Sequence, residues 1–369
     1  MNFKILVAVA NYPSENGKLS LAYVHTRNLY YLSKGIDVTV LNFKANKCYK
    51  IDDINVITLQ EYCKSKKIYD LLVCHAANIR NHFMFLKKYG HRFPQFVFFF
   101  HGHEVLMCNH VYPKTYSFAK KHYFKIFFGD LYDSFKLQIW HKYYPSVVDK
   151  SWFIFVSRWM QEEFVKWTRI PLSTLKGRYS ITYNCIGKSF EDAIFDFNSK
   201  KKYDFITIRH NLDNSKYGID IVNNLAKGNL KFKFLVIGKG EFFHHYKKSD
   251  NIEWINTTLD HTSIVKYLQL SRCALIPTRT DAQGLMMCEM ASIGIPLITS
   301  DIPVCHESLG NFNNVAMINN ENYNLNLEEI LNSLEKNLPY PKIEKYFNKK
   351  TSDAETILLN KLYMEKSQK

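Results

Sequence analysis

The chain has 369 residues, of which 46% are hydrophobic and 22% are charged. This length and apolar content exclude a largely disordered chain and predict two domains of ordinary size. The 49 Lys and Arg residues outnumber the 34 Asp and Glu residues, and the net charge of +15 favours anionic partners: nucleic acid, anionic lipid or phosphorylated substrates.

The first elements predict a strand–helix–strand unit. Lys4–Ala10 is an apolar run typical of a buried parallel strand, Ser20–Ser33 has apolar residues at helical spacing, and Ile36–Phe43 is a second apolar run. A βαβ unit of this length predicts a parallel sheet with nucleotide-binding topology. Three further apolar runs extend the same sheet: Leu71–Cys74, Phe96–Phe100 and Trp152–Val156.

The alternation of strands and helices starts again after the polar stretch Asn198–Lys202. Strands are predicted at Tyr203–Ile208, Phe234–Ile237, Ala274–Pro277 and Pro296–Thr299, and helices at Gly218–Ala226, Leu285–Ser292 and, with polar character, Ile343–Lys361. No short repeat is visible. The sequence therefore predicts an α/β protein with two different Rossmann-like domains.

The eight cysteines form no CxxC pair and have no regular spacing, so we expect thiols in a reducing compartment and no zinc site. The first ten residues lack the cleavage region of a signal peptide, and no apolar run approaches the roughly 18 residues of a membrane span. We therefore expect a cytoplasmic protein that is soluble or lies on a membrane surface.

The most informative motif is Thr278–Glu289, between a predicted strand and a predicted helix. Gly284, flanked by Gln283 and Leu285, allows close approach of the backbone, and the helix N-terminus suits a phosphate. Glu289 lies one to two turns into the helix, where its carboxylate could accept hydrogen bonds from ribose hydroxyls. An amphipathic helix after a turn would explain the apolar spacing, but it would not explain why the glycine, the helix start and the acidic residue occur together.

This segment resembles the acidic–x7–acidic motif of retaining glycosyltransferases of family 4, which have the GT-B fold. Asp281 stands where the family usually has Glu, near the donor sugar, and Glu289 matches the second, ribose-binding acid. The resemblance implies two Rossmann-like domains facing each other across a cleft. Residues 1–190 would bind the acceptor and residues 191–340 a nucleotide-sugar, most simply a UDP- or GDP-sugar. A C-terminal helix in residues 341–369 would pack back on the N-terminal domain.

Two further segments match the donor half of the family's pattern. Arg209 follows the first strand of the second α/β set and Lys216 lies in the next loop, as do the Arg and Lys with which the family holds the donor diphosphate. Two cations there would stabilise the charge on the leaving group. Gly238 and Gly240 resemble the family's turn beside the donor base, although a GxG alone is also typical of a tight turn.

In the N-terminal half, His101, His103 and Glu104 directly follow a predicted buried strand, where ligands bind in open α/β sheets. The resemblance implies that His101 faces the donor sugar, with His103, Glu104 and Asn11 on the acceptor side. The resemblance also implies that Gly17 binds the donor, as the single glycine of a loop in which the family frequently has two. A metal site at the two histidines and the glutamate, or a structural role at the strand end, remains open.

No Asp-x-Asp triplet occurs, so the chain lacks the metal–diphosphate signature of the other major glycosyltransferase fold. We therefore expect no metal and no cofactor besides the donor substrate. The resemblance implies retention of anomeric configuration by front-face attack, in which the leaving phosphate helps to deprotonate the acceptor. On that basis the catalytic candidates are His101, Asp281, Arg209 and Lys216.

Residues 114–144 combine six lysines with eleven aromatic side chains and two aspartates. Basic residues and bulky aromatics on amphipathic helices suit a membrane surface with anionic lipid, so we hypothesise docking on the inner leaflet through this stretch. The alternative is a helix with a core-facing aromatic side and a solvated lysine side.

The favoured interpretation is sugar transfer to a growing glycan or lipid-linked acceptor, in cell-surface polysaccharide or glycolipid assembly. A nucleotide-sugar epimerase of the same fold, a non-catalytic polyanion-binding protein and a catalytically silent donor-binding subunit remain open. A nucleic-acid-binding module is disfavoured, because no recognised motif occurs and the cations are dispersed.

Overall fold

Two parallel β-sheets organise the chain in the computed structural model, which describes residues 3–14, 21–119 and 123–366. Residues 1–107, 130–185 and 347–369 form one compact unit, and residues 108–129 and 186–346 form the second. The domain boundaries predicted at 190 and 340 stay predictions. The compact units instead change at 185 and 346, and residues 108–129 group with the second unit.

The elements up to residue 181 are, in chain order, β1 (Lys4–Val9), α1 (Ala22–Ser33), β2 (Asp37–Asn42), β3 (Tyr49–Ile51), β4 (Ile54–Ile57), α2 (Leu59–Lys64), β5 (Leu71–His75), α3 (Met84–Tyr89), β6 (Gln95–Phe100), α4 (Cys108–Val111), α5 (Tyr123–Ser146), β7 (Ser151–Phe155), α6 (Arg158–Thr168) and β8 (Tyr179–Ile181). The sheet of the first unit has the order β3-β4-β2-β1-β5-β6-β7-β8. Its neighbours are parallel except the β3–β4 pair. The central strands β5 and β6 are buried along their whole length, as expected for a parallel sheet covered on both faces.

The remaining elements are α7 (Lys188–Asp192), β9 (Tyr203–Asn211), α8 (Ile219–Gly228), β10 (Phe234–Lys239), α9 (Phe242–His245), β11 (Ile252–Ile255), α10 (His261–Gln269), β12 (Ser271–Ile276), α11 (Leu285–Ser292), β13 (Leu297–Ser300), α12 (Pro303–Leu309), β14 (Val315–Ile318), α13 (Leu327–Glu335) and α14 (Asn348–Lys366). The sheet of the second unit is parallel throughout, in the order β11-β10-β9-β12-β13-β14. Its strand order reverses between β9 and β12, so the crevice at the carboxyl ends of these two strands is where a ligand is expected.

The C-terminal helix differs from its prediction. It begins at Asn348 rather than Ile343, and it is not a polar surface helix, because Leu359 and Leu362 are buried in the core of the first unit. Glu355 of α14 is also buried and pairs with the buried Arg27 of α1, Nε to Oε1 at 3.0 Å. This ion pair explains a charged residue in the middle of an apparently solvated helix.

The Arg27–Glu355 pair has further partners within the first unit. The guanidinium also donates to the side-chain oxygen of Asn184 at 2.7 Å, and the hydroxyl of Tyr31 donates to the Glu355 carboxylate. Burial raises the pKa of Glu355, while the Arg27 charge and these hydrogen bonds act in the opposite direction. The network fixes α14 against α1 through polar contacts that are shielded from water.

Candidate active site

The donor-side candidates lie at the carboxyl ends of three adjacent strands of the second unit. Arg209 is near the end of β9, Gly238 near the end of β10, and the loop of residues 278–284 leads from β12 into α11. Because β9 lies between β10 and β12, the fold brings three distant stretches of sequence to the reversal point of the sheet.

Arg209 and Lys216 share one aromatic neighbour. The guanidinium carbon of Arg209 lies 4.9 Å from the ring centre of Tyr217, and the Lys216 Nζ lies 5.1 Å from the same centre. Asp281 faces this pair, with its Oδ2 atom 3.7 Å from the Lys216 Nζ. The structure thus groups three of the predicted catalytic residues in one partly buried cluster with a net positive charge.

Backbone contacts hold this cluster in place. The Arg209 guanidinium donates to the carbonyl of Pro277 at 2.7 Å, and its Nε has no partner within the described part of the chain. Burial lowers the pKa of Arg209. The Lys216 carbonyl accepts from the Arg279 N–H at 2.8 Å, which ties the Lys216 loop to the loop after β12. An incompletely paired, buried guanidinium is suited to an anionic ligand such as a phosphate.

Gly284 precedes α11 in the left-handed conformation, with φ of 72°. A residue with a side chain is disfavoured there, and a Cβ would also lie 2.3 Å from the Cε of Met287. No side chain of the described residues caps α11, whose first residue is Leu285. The carbonyl of the buried Gln283 accepts from the Ser308 hydroxyl at 3.1 Å, which anchors the loop to α12.

Glu289 lies in α11 with only 2% of its surface exposed. Its Oε1 atom accepts a long hydrogen bond of 3.4 Å from the Gly187 N–H and lies 4.0 Å from the Nε2 of His261. Burial raises the pKa of Glu289 from 4.5 to about 8, and the Gly187 hydrogen bond offsets only part of this. The acid predicted to bind ribose is thus mainly protonated near neutral pH before any ligand arrives.

His261 is a neighbour of Glu289 that the sequence analysis missed. It is the first residue of α10, which is capped by Asp260, and its side chain is 34% exposed. A Cβ at Gly187 would lie 2.3 Å from its Nδ1 atom, so the glycine makes room for the imidazole. No local pattern marks His261, because its partners lie 28 and more positions away in the sequence.

Gly238 and Gly240 have a structural reason for being glycine. A Cβ at Gly238 would lie 2.2 Å from the backbone oxygen of Arg209, and one at Gly240 would lie 2.7 Å from the Asp213 carboxylate. Both glycines therefore allow the end of β10 to approach the end of β9. Their predicted contact with a donor base stays a prediction.

The described candidates of the N-terminal half lie in the first unit, and Gly17, a donor-binding candidate, lies outside the described residues. Asn11 is partly buried just after β1, and His101 follows β6. The His101 Nε2 lies 3.0 Å from the Nδ1 of His75, which the sequence analysis missed at the end of β5. Burial lowers the pKa of both histidines well below its ordinary value, so both are neutral.

The structure separates the two histidines of the His101–Glu104 motif. Glu104 is buried and accepts from the His101 N–H, whereas the His103 side chain is exposed. The His101 Nδ1 is buried without a hydrogen-bond partner among the described residues. Across residues 3–14, 21–119 and 123–366, no three His, Cys, Asp or Glu side chains are grouped so that they could hold a metal ion.

Comparisons with known proteins give a family match for part of the chain and structures with a similar fold. Residues 205–336 match the family described as glycosyl transferases group 1. No protein with a curated description matches the chain significantly. Among solved structures, sucrose-phosphate synthase from Thermosynechococcus elongatus superimposes with a TM-score of 0.67 at 12% identity, covering 98% of each chain.

Two other solved structures are similar over nearly the full length. WaaG, a glycosyltransferase involved in lipopolysaccharide biosynthesis, has a TM-score of 0.64 at 12% identity and covers 96% of this chain and 99% of its own. HepE from Anabaena, in complex with UDP and glucose, has a TM-score of 0.60 at 11% identity, with 99% and 98% covered. At such identities the likeness concerns the fold.

Proposed function

We propose that this chain, whose residues 205–336 match glycosyl transferases group 1, is a retaining, metal-independent enzyme that transfers a sugar from a UDP- or GDP-sugar to a glycan or lipid-linked acceptor. The predicted GT-B fold and glycosyltransferase class are confirmed, whereas the assignment to the retaining family 4 is part of the proposal. The stereochemistry, the independence from metal, the identity of the donor and the role of each site residue are parts of the proposal.

The observation that carries the proposal is the cluster of Arg209, Lys216 and Asp281 at the reversal point of the second sheet. A nucleoside diphosphate brings two or more negative charges, and the cluster offers two cations against one carboxylate. The uncapped N-terminus of α11 adds backbone N–H donors beside it. As the sugar–phosphate bond breaks, charge grows on the leaving diphosphate, and fixed positive groups lower the energy of that state.

In this proposal the acceptor hydroxyl loses its proton to the leaving phosphate, and the sugar C1–oxygen bond forms on the face that the phosphate leaves. His101 is proposed to orient the donor sugar. Its neutral ring has one nitrogen close to His75 and one without a partner among the described residues, which suits a single hydrogen bond to a sugar hydroxyl. Glu289 and His261 are proposed to bind the ribose hydroxyls together.

The ligands and roles of the similar structures, together with the positive charge of the cluster, support the proposed donor and acceptor. The HepE structure contains UDP and glucose, and WaaG is involved in lipopolysaccharide biosynthesis. No helix of the described residues is long and apolar enough to cross a membrane. We place the reaction in the cytoplasm, at the inner face of a membrane that supplies a lipid-linked acceptor.

Thermal unfolding with UDP, GDP, ADP, CMP and their common sugar conjugates tests the donor site. A ligand at about a hundred times its Kd adds about 2.7 kcal/mol to stability, a shift of several degrees. One nucleotide series should stabilise the wild type by this amount and Lys216→Ala by only about half as much at the same ligand concentration, as expected for about tenfold weaker binding. The control Lys336→Ala, an exposed lysine at the end of α13, should respond like the wild type.

Failure of every nucleotide to shift the transition would remove the donor-site argument and favour the polyanion-binding alternative. Product analysis separates transfer from epimerisation. A transferase releases nucleotide only in step with a glycosylated acceptor, whereas an epimerase of the same fold releases it without one.

A further inference from the structure

Residues 114–144, for which membrane docking is predicted, do not form one exposed basic helix. Lys136 is buried and donates to Asp133 at 2.6 Å, and Trp140 and Tyr144 are buried as well. The docking itself stays a prediction. The start of the stretch, up to residue 119, has contacts of a different kind, with the loops of the candidate donor site.

Residues 108–119 lie in the N-terminal half of the sequence, but they group with the second unit. We call them the tyrosine segment, because two tyrosines make its contacts with the donor-side loops. The ring centre of Tyr112 lies 5.7 Å from the Nζ atom of Lys216. The Tyr116 hydroxyl donates to the Oδ1 atom of Asp220 at 2.8 Å. These contacts were not predictable from the sequence, because distant parts of the chain form them.

The ammonium of Lys216 contacts aromatic rings. Its side chain is only 16% exposed, and its Nζ atom lies 5.1 Å from the ring centre of Tyr217 as well as 5.7 Å from that of Tyr112. The Asp281 Oδ2 atom is 3.7 Å away, and the Lys216 Nζ donates no hydrogen bond to any described residue. A ring face attracts a cation without occupying its N–H groups. Among the described residues, nothing therefore competes with a ligand for these donors.

One carboxylate anchors the tyrosine segment to both loops of the cluster. Asp220 accepts from Tyr116 and also from the two terminal nitrogens of Arg279, at 2.9 and 2.6 Å. Arg279 donates in addition to the backbone carbonyl of Ser215 at 2.7 Å. Bidentate pairs between guanidinium and carboxylate have a specific geometry. The tyrosine segment, the loop that contains Lys216 and the loop after β12 are therefore joined through Asp220.

Ring contacts place the tyrosine segment independently of the lysine. The Tyr116 side chain is part of the hydrophobic core of the second unit and is 8% exposed. The ring of Phe118 stacks on that of His245, with the ring centres 4.3 Å apart. Neither contact involves Lys216, so the Tyr112 ring is held beside the ammonium by the fold of the segment.

We propose that Tyr112 is a positioning residue of the donor site. Its ring, together with that of Tyr217, holds the Lys216 ammonium in place and leaves its N–H groups for the phosphate oxygens of a nucleoside diphosphate. Tyr112 acts through the lysine and needs no contact with the donor. The inference rests on the proposed function, because the diphosphate is the ligand of the lysine.

Calorimetric titration of the full-length protein with UDP and uridine, and in parallel with GDP and guanosine, tests the proposal. Tyr112→Leu should weaken binding of the diphosphate about fivefold and leave binding of the nucleoside unchanged, because the nucleoside has no phosphate for Lys216. Tyr112→Phe keeps an aromatic ring and should restore the affinity of the wild type. The control Tyr323→Leu changes another partly buried tyrosine, beside the end of α8, and should have no effect.

A double-mutant cycle separates positioning from direct contact. If Tyr112 acts through Lys216, adding Tyr112→Leu to Lys216→Ala should not weaken binding of the diphosphate further. A second loss of similar size in the double variant would mean that Tyr112 contacts the donor itself, and it would overturn the positioning role.

A second measurement requires no nucleotide. Reductive methylation with isotope-labelled formaldehyde labels the lysine side chains for NMR, and the Lys216 signal is identified by its absence in Lys216→Arg. Ring currents should shift this signal upfield from those of exposed lysines in the wild type and in Tyr112→Phe. The shift should decrease in Tyr112→Leu.

Tyr116→Phe is a milder change that tests the anchor. It keeps the packed ring and removes only the hydroxyl that donates to Asp220. Amide hydrogen exchange in residues 108–119 should become faster, and binding of the diphosphate should weaken about twofold. Exchange and affinity equal to those of the wild type would contradict the anchoring of the tyrosine segment.

The outcomes distinguish failure of the inference from failure of the proposed function. If the wild type binds a diphosphate more tightly than its nucleoside and Tyr112→Leu binds both equally well, only the inference is overturned. A Lys216 signal that does not respond to Tyr112→Leu would overturn it too. A wild type that binds neither UDP nor GDP would overturn the proposed function, and with it the role of Tyr112.

Discussion

Burial of Glu289 makes the stability of the protein depend on pH in a predictable direction. Its pKa is raised from 4.5 to about 8 in the folded chain. Its contribution to stability is therefore fully present below about pH 4.5 and is lost as the pH rises through about 8, since the folded state holds a proton that the unfolded chain releases. Across this window the free energy of unfolding falls by about 1.4 kcal/mol per pH unit.

The variant Glu289→Gln keeps the shape of the side chain and its acceptor for the Gly187 N–H, but it cannot ionise. Between about pH 5 and 7 the wild type should lose about 2–3 kcal/mol that the variant does not lose. For a unit of this size that corresponds to a change of about 5–10 °C in the difference between their melting temperatures. The melting temperature of Glu289→Gln should therefore increase relative to that of the wild type as the pH rises.

Thermal unfolding over this pH range, at constant ionic strength, measures the effect. Glu321→Gln, an exposed residue of the loop before α13, is the matched control and should follow the wild-type profile. Parallel curves for the wild type and Glu289→Gln across the whole range would refute the reasoning, because they would show that the buried carboxyl does not titrate with a raised pKa.

Three other changes have definite expected outcomes. Gly238→Ala places a Cβ 2.2 Å from a backbone oxygen of β9, and it should lower the free energy of unfolding by about 2–3 kcal/mol in denaturant titrations. The control Gly177→Ala, at a glycine with a positive φ but no atom within 4 Å of the added Cβ, should lower it by about 1 kcal/mol. Glu355→Ala leaves the buried Arg27 without its counter-ion and should cost about 3–5 kcal/mol of stability; an unchanged melting temperature would contradict a buried pair. Lys216→Ala should weaken UDP binding about tenfold in calorimetry but leave uridine binding unchanged, and an equal loss for both would exclude a diphosphate contact.

The strands that the sequence failed to predict show where local patterns end. The missed strands are β3, β4, β8, β11 and β14, and each has only three or four residues. Four of them are the edge strands of the two sheets, and β4 lies next to the edge strand β3. An edge strand has a neighbour on one side only and needs no long apolar run. The central strands are buried on both faces, so their apolar runs are visible in the sequence.

The residues of the candidate site also separate into those that the sequence predicts and those that it does not. The motif at 278–289 was predictable because a strand end, a turn glycine and a helix start are consecutive in the chain, and α11 has the predicted bounds, Leu285–Ser292. The roles of its residues stay predictions. His75 and His261 were not predictable, because each acquires its neighbour only when distant strands and helices come together.

By itself, the sequence determined the alternation of strands and helices, the class of the fold and the position of the motif at 278–289, since apolar periodicity and turn chemistry act between near neighbours along the chain. Only the tertiary structure decided that Glu355 pairs with Arg27, 328 positions away, and which aromatics of α5 are buried. The sequence shows that a helix contains aromatic residues, but which of its faces is buried depends on the elements that pack against it. Pairing between distant residues is likewise not predictable, because it produces no local sequence pattern.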